Sequence, residues 1–336
     1  MKVFLTGSTG FVGSYVLRAL LDAGHDVRVL LRAGSEKPLA TASDAVEIAP
    51  GDVTDGDSLV GLLDGCEAVV HLVGIIREDV GARATFERVH LDGARNVVDA
   101  ATTAGVQRFV LMSANGAKPR EDAVSAYQWT KYEAEEHLRA SGMEHVIFRP
   151  SVIFGRPRPG QPEFASQLAG SLLRVPLAPL PLFKDGLPTV AELAAGLSGS
   201  RSSAQRNLAA TGSGIELQPV AVENVATAMA QAVDGDGHAN TTYEVGGRDR
   251  FRWGEMLDVL AAASGARRPR RKVVLPAALI RLLLSLPVVR SSLPLTTDQL
   301  DMLLAGNVCD EGPFFRDFDV DPIWFGRESL TYVRRA

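Results

Sequence analysis

Tyr127 and Lys131 stand four residues apart in SAYQWTK, a stretch that is predicted to be helical. Side chains at that separation share one helical face, so both can point at one bound ligand. A free tyrosine titrates at about pH 10, and a neighbouring ammonium group stabilises the phenolate and lowers that pKa. The pair is therefore predicted to exchange a proton with a substrate. The alternative is a partly exposed helix face covered by two amphipathic side chains.

Ser113 follows the fifth of six β-rich stretches that alternate with helical stretches in the first half of the chain. The six are KVFLT, DVRVLLR, VEIAPGD, EAVVHLVG, QRFVLMS and EHVIFRP. This alternation predicts an α/β fold, a Rossmann-type doubly wound parallel sheet with helices on both faces. Ligands of such a fold bind outside the carboxyl ends of the strands. Ser113 is therefore expected at the edge where chemistry occurs, just before the helix of Tyr127 and Lys131.

The stretch TGSTGFVG lies between the first strand and the first helix and places Gly7, Gly10 and Gly13 three residues apart. There Gly7 can make the tight turn, Gly10 lets the backbone approach a pyrophosphate, and Gly13 lets the helix pack closely. The N-terminus of the helix then faces the phosphates. A bound dinucleotide is predicted, and a mononucleotide P-loop is disfavoured because the Gly-Lys-Ser/Thr ending is absent from the loop.

The second strand ends at Leu31 and Arg32, where an NAD site would have an acidic residue for the ribose 2′-hydroxyl. Arg32, with Lys37 nearby, suits a 2′-phosphate better. NADP(H) is therefore favoured over NAD(H). The alternative is that Arg32 is only a solvated loop residue.

The order of these features resembles an extended or atypical short-chain dehydrogenase/reductase of the NAD-dependent epimerase/dehydratase superfamily. TGSTGFVG is similar to the TGxxGxxG of that family, and Asp52 in GDV is similar to its adenine-contacting acid. Ser113, Tyr127 and Lys131 resemble its catalytic trio, and RPSVIFG at 149–155 resembles the segment beside the nicotinamide. The resemblance covers most of the chain, because QPVAVENVATAMAQAV and TYEVGG are similar to the family's return to the nucleotide domain.

The resemblance implies a role for each of these residues. Tyr127 would be the general acid/base at a carbonyl or alcohol, Lys131 would also bond the nicotinamide ribose, and Ser113 would orient the substrate oxygen. His90 is a departure, since many relatives have an asparagine there that supports a proton-relay water. The implied cofactor-binding residues are Gly7, Thr9, Gly10, Phe11, Val12, Gly13, Arg32, Asp52, Val53, Leu72, Val73, Lys131 and Pro150.

Several segments most resemble the branch that includes the NADPH-binding accessory subunit of respiratory complex I and its bacterial relatives. They are HLVG, SAYQWTK with EAEEHLRASG, RPSVIFG and LPLTTDQLDML. Three functions stay open. The first is an NADP(H)-dependent oxidoreductase acting on a carbonyl or alcohol, with a lipophilic or quinone-like substrate suggested by the apolar C-terminal lobe. The second is a non-catalytic NADPH-binding subunit or assembly factor of a membrane respiratory complex. The third, a nucleotide-sugar epimerase or dehydratase, is less favoured because MSANG lacks the paired hydroxyl residues common there.

Composition argues against several other classes of function and location. A hydrophobic content of 46% over 336 residues can supply a sizeable core, and a net charge of −5 argues against nucleic acid as the main partner. Two distant cysteines and six scattered histidines lack metal-ligand spacing, so no metal site is predicted. The start, MKVFLTGSTG, lacks the features of a secretory signal, so a cytoplasmic location is expected.

Residues 267–290 carry seven basic residues and no acidic one. The apolar run at 273–289 is interrupted by Arg281 and two prolines, which makes it too short and broken to span a membrane. Basic flanks beside an apolar stretch favour contact with an anionic membrane surface, or with a membrane complex, on the cytoplasmic face. The alternative is a buried helix of the C-terminal lobe with a solvated loop before it.

A change of composition after residue 155 indicates a second lobe. The nucleotide-binding domain is predicted to comprise residues 1–155 and 215–248. A smaller substrate lobe is predicted to comprise residues 156–214 and 249–336, with an inserted Pro/Ser-rich loop in its first part.

Overall fold

The chain forms two compact units, each built from separate segments. The computed structural model describes residues 1–34, 39, 43–173, 178–266, 268–285 and 296–335. The first unit comprises Met1–Pro150, Val222–Val245 and Asp310–Pro322. The second unit comprises Ser151–Ala221, Gly246–Cys309 and Ile323–Ala336. Lys37, Arg267 and residues 286–290 of the basic segment lie outside the described residues.

Strands and helices alternate along the first unit, and the elements of both units are numbered here in chain order. The strands are β1 (Lys2–Thr6), β2 (Asp26–Leu31), β3 (Val46–Pro50), β4 (Ala68–His71), β5 (Arg108–Met112), β6 (Glu144–Pro150), β7 (Ile153–Phe154), β8 (Leu180–Lys184), β9 (Glu216–Leu217), β10 (Val220–Ala221), β11 (Thr241–Val245), β12 (Phe251–Arg252) and β13 (Lys272–Pro276). The α-helices are α1 (Phe11–Asp22), α2 (Gly93–Thr103), α3 (Ala126–Ala140), α4 (Phe164–Leu172), α5 (Val190–Leu197), α6 (Ser203–Thr211), α7 (Val222–Asp234), α8 (Trp253–Ala263), α9 (Ala277–Ser285), α10 (Thr297–Leu304) and α11 (Gly312–Asp317). A π-helical turn, Glu87–Asp92, leads directly into α2.

The first unit contains a seven-stranded sheet with the order β11-β6-β5-β4-β1-β2-β3. Every neighbouring pair in this sheet is parallel. The strand order reverses between β1 and β4, so the carboxyl ends of these two strands flank the point where such sheets bind ligands. The predicted Rossmann-type fold is confirmed, and the six predicted strands are observed as β1 to β6.

The central strands of this sheet, β1 and β4, are apolar runs rather than alternating ones. All four residues of β4 are buried, and four of the five residues of β1 are buried. Helices cover parallel sheets on both faces, which explains why both faces of each strand must be apolar. The core of the first unit includes Phe4, Val69 and Phe109, each with no exposed surface.

The second unit has short strand pairs and a separate hydrophobic core. Its pairs are β7 with β10, β8 with β13 and β9 with β12. Its core is centred on large side chains such as Phe154, Trp253 and Leu260, each at most 1% exposed. The indole of Trp253 donates to the Pro181 carbonyl at 2.9 Å, so its polar atom is also satisfied.

Most described basic side chains of residues 267–290 have partners within the second unit. Arg270, Arg271, Lys272 and Arg281 bind Ala178 O, Gly196 O, Asp258 and Asp301, respectively, at 2.6 or 2.7 Å. The apolar side chains of Leu279 and Leu282 on α9 are 46% and 63% exposed. No helix in the described part of the chain has both the length and the apolarity to cross a bilayer. Contact with a membrane surface stays a prediction.

The observed division of the chain differs from the predicted one at residues 151–155, 215–221 and 246–248, which belong to the second unit, and again at residues 310–322. Residues 310–322 were expected in the substrate lobe, yet they belong to the first unit. There α11 packs against β11, and Phe318 stacks on His238 with ring centroids 4.4 Å apart. An aromatic-rich segment can pack on the exposed edge of a sheet, and sequence periodicity does not indicate which sheet.

Gly13 permits a backbone contact on which the glycine loop depends. A Cβ atom at Gly13 would lie 2.0 Å from Gly7 O and 2.7 Å from Gly7 C. Real side chains do not approach a backbone so closely, so α1 could keep its position against the end of β1 only with glycine here.

We expect Gly13→Ala to lower the free energy of unfolding by about 1–3 kcal/mol, because the new methyl group would push α1 away from the loop. Gly237→Ala is the matched control, since its Cβ would meet nothing within 4 Å. Denaturant unfolding of both variants measures the difference. Equal stability of the two variants would contradict the predicted clash.

Candidate active site

The glycine loop brings three predicted cofactor-binding segments together. Gly7 has a φ of +79°, a backbone conformation that favours glycine, and Gly10 N donates to Gly7 O at 3.0 Å. A Cβ on Gly7 would lie 3.1 Å from Leu72 C and 3.2 Å from Val73 N. The loop after β1 therefore lies directly against the chain that leaves β4.

The first turn of α1 suits a phosphate group. The helix begins at Phe11, with Gly10 as its N-cap, and its first turn contains no acidic side chain. Val12 and Gly13 follow in the same turn, so their amide groups lie at the positive end of the helix dipole. Thr9 completes the loop before them. The cradle fits the pyrophosphate of a dinucleotide, because a side chain at Gly7 or Gly13 would fill it.

The loop after β3 is held by its own hydrogen bonds. Asp52 Oδ1 accepts from the Thr54 amide at 2.9 Å and from the Thr54 hydroxyl at 3.0 Å. Asn96 Nδ2 donates to Val53 O at 2.8 Å. These bonds fix Asp52 and Val53 and use one carboxylate oxygen of Asp52, while Oδ2 takes part in neither Thr54 bond. Arg32, directly after β2, is exposed.

The loop after β5 is tied to the end of β6. Ser113 N donates to Phe148 O at 2.7 Å, and Asn115 N donates to Pro150 O at 2.9 Å. Pro150, predicted to lie beside the nicotinamide, is thus placed next to the residues that follow Ser113.

Helix α3 presents a buried face toward this edge of the sheet. Its N-cap, Ser125, is extended, and the basic residues His137 and Arg139 lie in its last turn, where they complement the helix dipole. Lys131, Glu135 and Leu138 are buried on this face. Their spacing of four and three residues is that of one helical stripe.

Lys131 is buried, with 5% of its surface exposed. Its Nζ donates to Met112 O at 3.1 Å, at the end of β5. Burial lowers the pKa of Lys131 to about 8, and the charge of Glu135 partly opposes this shift. A Cβ at Gly74 would lie 3.2 Å from Lys131 Nζ. The absence of a side chain at Gly74 therefore leaves room for the ammonium group.

Tyr127 lies one turn before Lys131 in an aromatic environment. Its ring meets Phe86 and His90 edge to face, with centroids 5.6 and 5.2 Å apart. Burial raises the pKa of Tyr127 to about 12. The expectation that Lys131 lowers this pKa is wrong for this arrangement, because Lys131 Nζ is bonded to Met112 O and burial disfavours the phenolate. Tyr127 is therefore protonated at neutral pH and suited to donate a proton.

His90 lies on the π-helical turn and forms one wall beside Tyr127. Its Nε2 lies 2.9 Å from the amide nitrogen and 3.1 Å from the carbonyl oxygen of Ile75. Its Nδ1 is 3.3 Å from the Thr130 hydroxyl. Burial, with the nearby charge of Lys131, holds the pKa of His90 well below its usual value. His90 is thus an uncharged side chain that packs beside Tyr127. It lies on a π-helical turn, and such turns often occur at functional sites.

Ser113 lies directly after β5, where it was predicted, and its role at a substrate oxygen stays a prediction. Its hydroxyl donates to Glu135 Oε1, and Ser113 is only 3% exposed. Glu135 has no exposed surface and forms ion pairs with Arg149 and Arg139. Because the serine proton is directed to a carboxylate, Ser113 can meet a ligand only as an acceptor.

Sequence reasoning missed Glu135 and Arg149 as members of this face. One signal was available, because Tyr127, Lys131 and Glu135 are spaced by four residues and so share a helical stripe. The other signal is absent from the sequence, because the pairing of Arg149 with Glu135 requires β6 to lie beside α3. Within the described residues, no three His, Cys, Asp or Glu side chains are grouped to hold a metal ion.

Known proteins are similar in sequence to this part of the chain. A profile of the NAD(P)H-binding family matches residues 7–169. Ceramide reductase of Caulobacter vibrioides is 37% identical over 163 residues, which are 48% of this chain and 48% of the reductase. The 3 beta-hydroxysteroid dehydrogenase/Delta 5-4 isomerase of Mycobacterium tuberculosis is 35% identical over 178 residues, 46% of this chain and 47% of that enzyme. The chain spans about half the length of these curated relatives.

The fold extends to solved structures of more distant proteins. UDP-glucuronic acid 4-epimerase of Bacillus cereus, in complex with UDP-glucuronic acid and NAD, aligns with a TM-score of 0.67 at 16% identity. The alignment covers 100% of this chain and 99% of the epimerase. At this identity the likeness establishes the fold alone.

The parallel sheet, the glycine loop and the family match together define an NAD(P)-binding Rossmann domain. The match over residues 7–169, together with the reductase and dehydrogenase relatives, supports the resemblance to short-chain dehydrogenases/reductases found in the sequence. The narrower resemblance to the complex I accessory subunit branch stays a prediction.

We expect the affinity for NADPH to be constant below about pH 8 and to fall about tenfold per pH unit above it, as Lys131 loses its proton. The affinity falls as the pH rises because the ammonium group that could bond the cofactor exists only below this lowered pKa. Isothermal titration calorimetry from about pH 7 to about pH 10 measures it.

Two substitutions control this pH dependence. Lys131→Met should bind NADPH weakly and without the alkaline decrease. Lys118→Met, which changes an exposed lysine, should retain the decrease. An unchanged alkaline decrease in Lys131→Met would show that another group is responsible.

Proposed function

We propose that the protein is an NADPH-dependent reductase of the short-chain type that acts on a lipophilic ketone or aldehyde. The observation that carries this proposal is the placement of a protonated Tyr127 one turn from a buried Lys131. Both lie at the carboxyl edge of the sheet, where β5 ends and where such folds bind substrates. A proton donor and a cation at that edge are what carbonyl reduction requires.

The residues would divide the reaction between them. When bound, the nicotinamide of NADPH supplies the hydride. Tyr127 donates its phenolic proton to the carbonyl oxygen, so the carbonyl becomes an alcohol and the tyrosine becomes a phenolate. Lys131, charged below about pH 8, would bond the ribose of the cofactor, and solvent returns the proton to Tyr127. The reverse reaction would use the same groups in the opposite order.

Exposed apolar side chains near Tyr127 support a lipophilic substrate. Ile76 and Val80, in the loop after β4, are 51% and 74% exposed, and Val124, just before α3, is 54% exposed. The loop of Ile76 is joined to His90 through the Ile75 amide bond, and His90 contacts Tyr127. The relatives named as a ceramide reductase and a hydroxysteroid dehydrogenase also act on apolar molecules by their names.

Two other functions remain as alternatives. A nucleotide-sugar epimerase would use the same fold, as the Bacillus cereus enzyme does. A non-catalytic NADPH-binding subunit would bind the cofactor and leave Tyr127 without a substrate. Substrate dependence separates all three functions.

We expect Tyr127→Phe to abolish substrate-dependent NADPH oxidation, with a loss of kcat of at least about a hundredfold, because the proton donor is removed. NADPH affinity should be unchanged, since the ring is retained. The assay would compare steroid ketones, long-chain lipid ketones, quinones, short aldehydes and sugar nucleotides.

Tyr132→Phe is the matched control, because Tyr132 lies on the same helix and loses the same hydroxyl. It should keep wild-type activity. Formation of an epimerised sugar nucleotide without net NADPH oxidation would favour the epimerase. Tight NADPH binding with no turnover of any substrate would favour the non-catalytic subunit.

Preference for NADPH over NADH is proposed from Arg32, which is exposed directly after β2. A guanidinium group binds the 2′-phosphate that distinguishes the two cofactors. Arg32→Ala should therefore raise the Kd for NADPH about tenfold or more and leave the Kd for NADH unchanged.

Arg18→Ala is the control for charge, because Arg18 on α1 is 71% exposed and pairs with Asp22. It should bind both cofactors as the wild type does. Cofactor titration monitored by fluorescence gives both constants. Equal losses of NADPH and NADH affinity in Arg32→Ala would contradict the proposed preference.

A further inference from the structure

We propose that Glu135 is a positioning residue of the catalytic face, which keeps Lys131 charged and fixes Ser113 as a hydrogen-bond acceptor. This proposal rests on the proposed function. Glu135 lies one helical turn after Lys131, which itself lies one turn after Tyr127, so all three share a stripe of α3.

Glu135 is a fully buried carboxylate with partners on both oxygens. Oε1 accepts from the Ser113 hydroxyl and from Arg149 Nε at 2.9 Å. Oε2 accepts from Arg139 Nη2 at 3.0 Å and also from Arg149 Nη2. Two guanidinium groups therefore hold the side chain as an anion in the interior, where an unpaired charge would be strongly disfavoured.

The first consequence concerns Ser113. A hydroxyl group has one proton, and that of Ser113 is donated to Glu135. The lone pairs of Ser113 Oγ are then left to accept from a donor. An alcohol can provide that donor and a carbonyl cannot. Ser113 would thus recognise the alcohol form of the substrate, and Tyr127 alone would donate to the carbonyl form.

The second consequence concerns Lys131. Groups from several elements face it: Glu135 and Tyr127 on α3, His71 at the end of β4, and His90 on the π-helical turn. His71 and His90 are neutral, because burial and Lys131 lower the pKa of His71 to about 3 and that of His90 well below normal. Tyr127, with a pKa raised to about 12, is neutral too.

Lys131 Nζ is bonded to Met112 O, and Glu135 Oε1 is bonded to the hydroxyl of the next residue, Ser113. Arg149 on β6 and Arg139 on α3 pair with Glu135 itself. Glu135 is therefore the nearby anion that favours the charged form of Lys131.

The test measures the titration of Lys131 directly in the free protein. Lysine labelled with 13C at Cε gives few NMR signals, because the chain contains only six lysines, and Lys131→Met assigns the relevant one. In Glu135→Gln the titration midpoint of Lys131 should fall by about one pH unit, as expected when a nearby opposite charge in a buried site is removed.

Glu136→Gln is the matched control. Glu136 is the next residue on α3, is 47% exposed and pairs with the same Arg139. The Glu136→Gln substitution removes the same charge from the solvent-facing side of α3, so the titration midpoint of Lys131 should stay at the wild-type value. Equal midpoints in Glu135→Gln and Glu136→Gln would overturn the proposal, whether or not any substrate is turned over.

A second variant guards against misfolding of Glu135→Gln, which leaves the partly buried guanidinium groups of Arg149 and Arg139 without the Glu135 anion. Glu135→Gln/Arg149→Gln replaces the ion pair with two amides that can bond each other. The Lys131 midpoint should fall in this variant as well. A midpoint unchanged from the wild type in the folded double variant would also overturn the proposal.

Activity separates this proposal from the proposed function. If a ketone is reduced, the alkaline limb of kcat/KM should move to lower pH in Glu135→Gln and not in Glu136→Gln, while NADPH affinity at about pH 6 stays similar. A protein without turnover, whose Lys131 midpoint still falls in Glu135→Gln, would refute the reductase and support the positioning role.

Discussion

Burial of the Lys131 ammonium is the constraint around which the candidate active site is organised. A cation in the interior loses its hydration and is tolerated only where neighbouring groups replace it. The Met112 carbonyl and the carboxylate of Glu135 supply that replacement. Gly74 leaves space beside Nζ, and the neutral His71 and His90 add no competing positive charge. Met112 and His71 lie at the carboxyl ends of two neighbouring parallel strands, and Gly74 follows His71 in the chain, which is why the parallel arrangement matters.

The same interior environment has opposite effects on the charges of Tyr127 and Lys131. Burial favours the neutral form of both, so the tyrosine retains its proton more firmly and the lysine releases its proton more easily. Titratable groups with shifted pKa values in one place are typical of sites that move protons. At neutral pH a protonated Tyr127 therefore lies one helical turn from a charged Lys131. This arrangement can stabilise negative charge that develops on a substrate oxygen.

Short-range patterns in the sequence predicted the framework well. The β-rich stretches became β1 to β6, and the spacing of Gly7, Gly10 and Gly13 matched a loop with one left-handed glycine and two close backbone approaches. The features that sequence reasoning missed depend on distant contacts. Glu135 meets Ser113 and Arg149 only when β5 and β6 lie beside α3, and the pKa of Tyr127 depends on how deeply its hydroxyl is buried. The four-residue spacing places Glu135 on the stripe of Tyr127 and Lys131, but no local pattern indicates these two partners or the burial of Tyr127.

The order in which the first unit is assembled has a consequence for its synthesis. Its sheet is complete only with β11, which pairs with β6 although almost a hundred residues separate the two strands. On the ribosome, the residues up to Pro150 emerge well before Thr241–Val245 and Asp310–Pro322. During that interval the edge of β6 has no strand beside it, and an unpaired apolar edge can bind other chains. A nascent chain of this topology depends on protection of that edge until its last segments have been made.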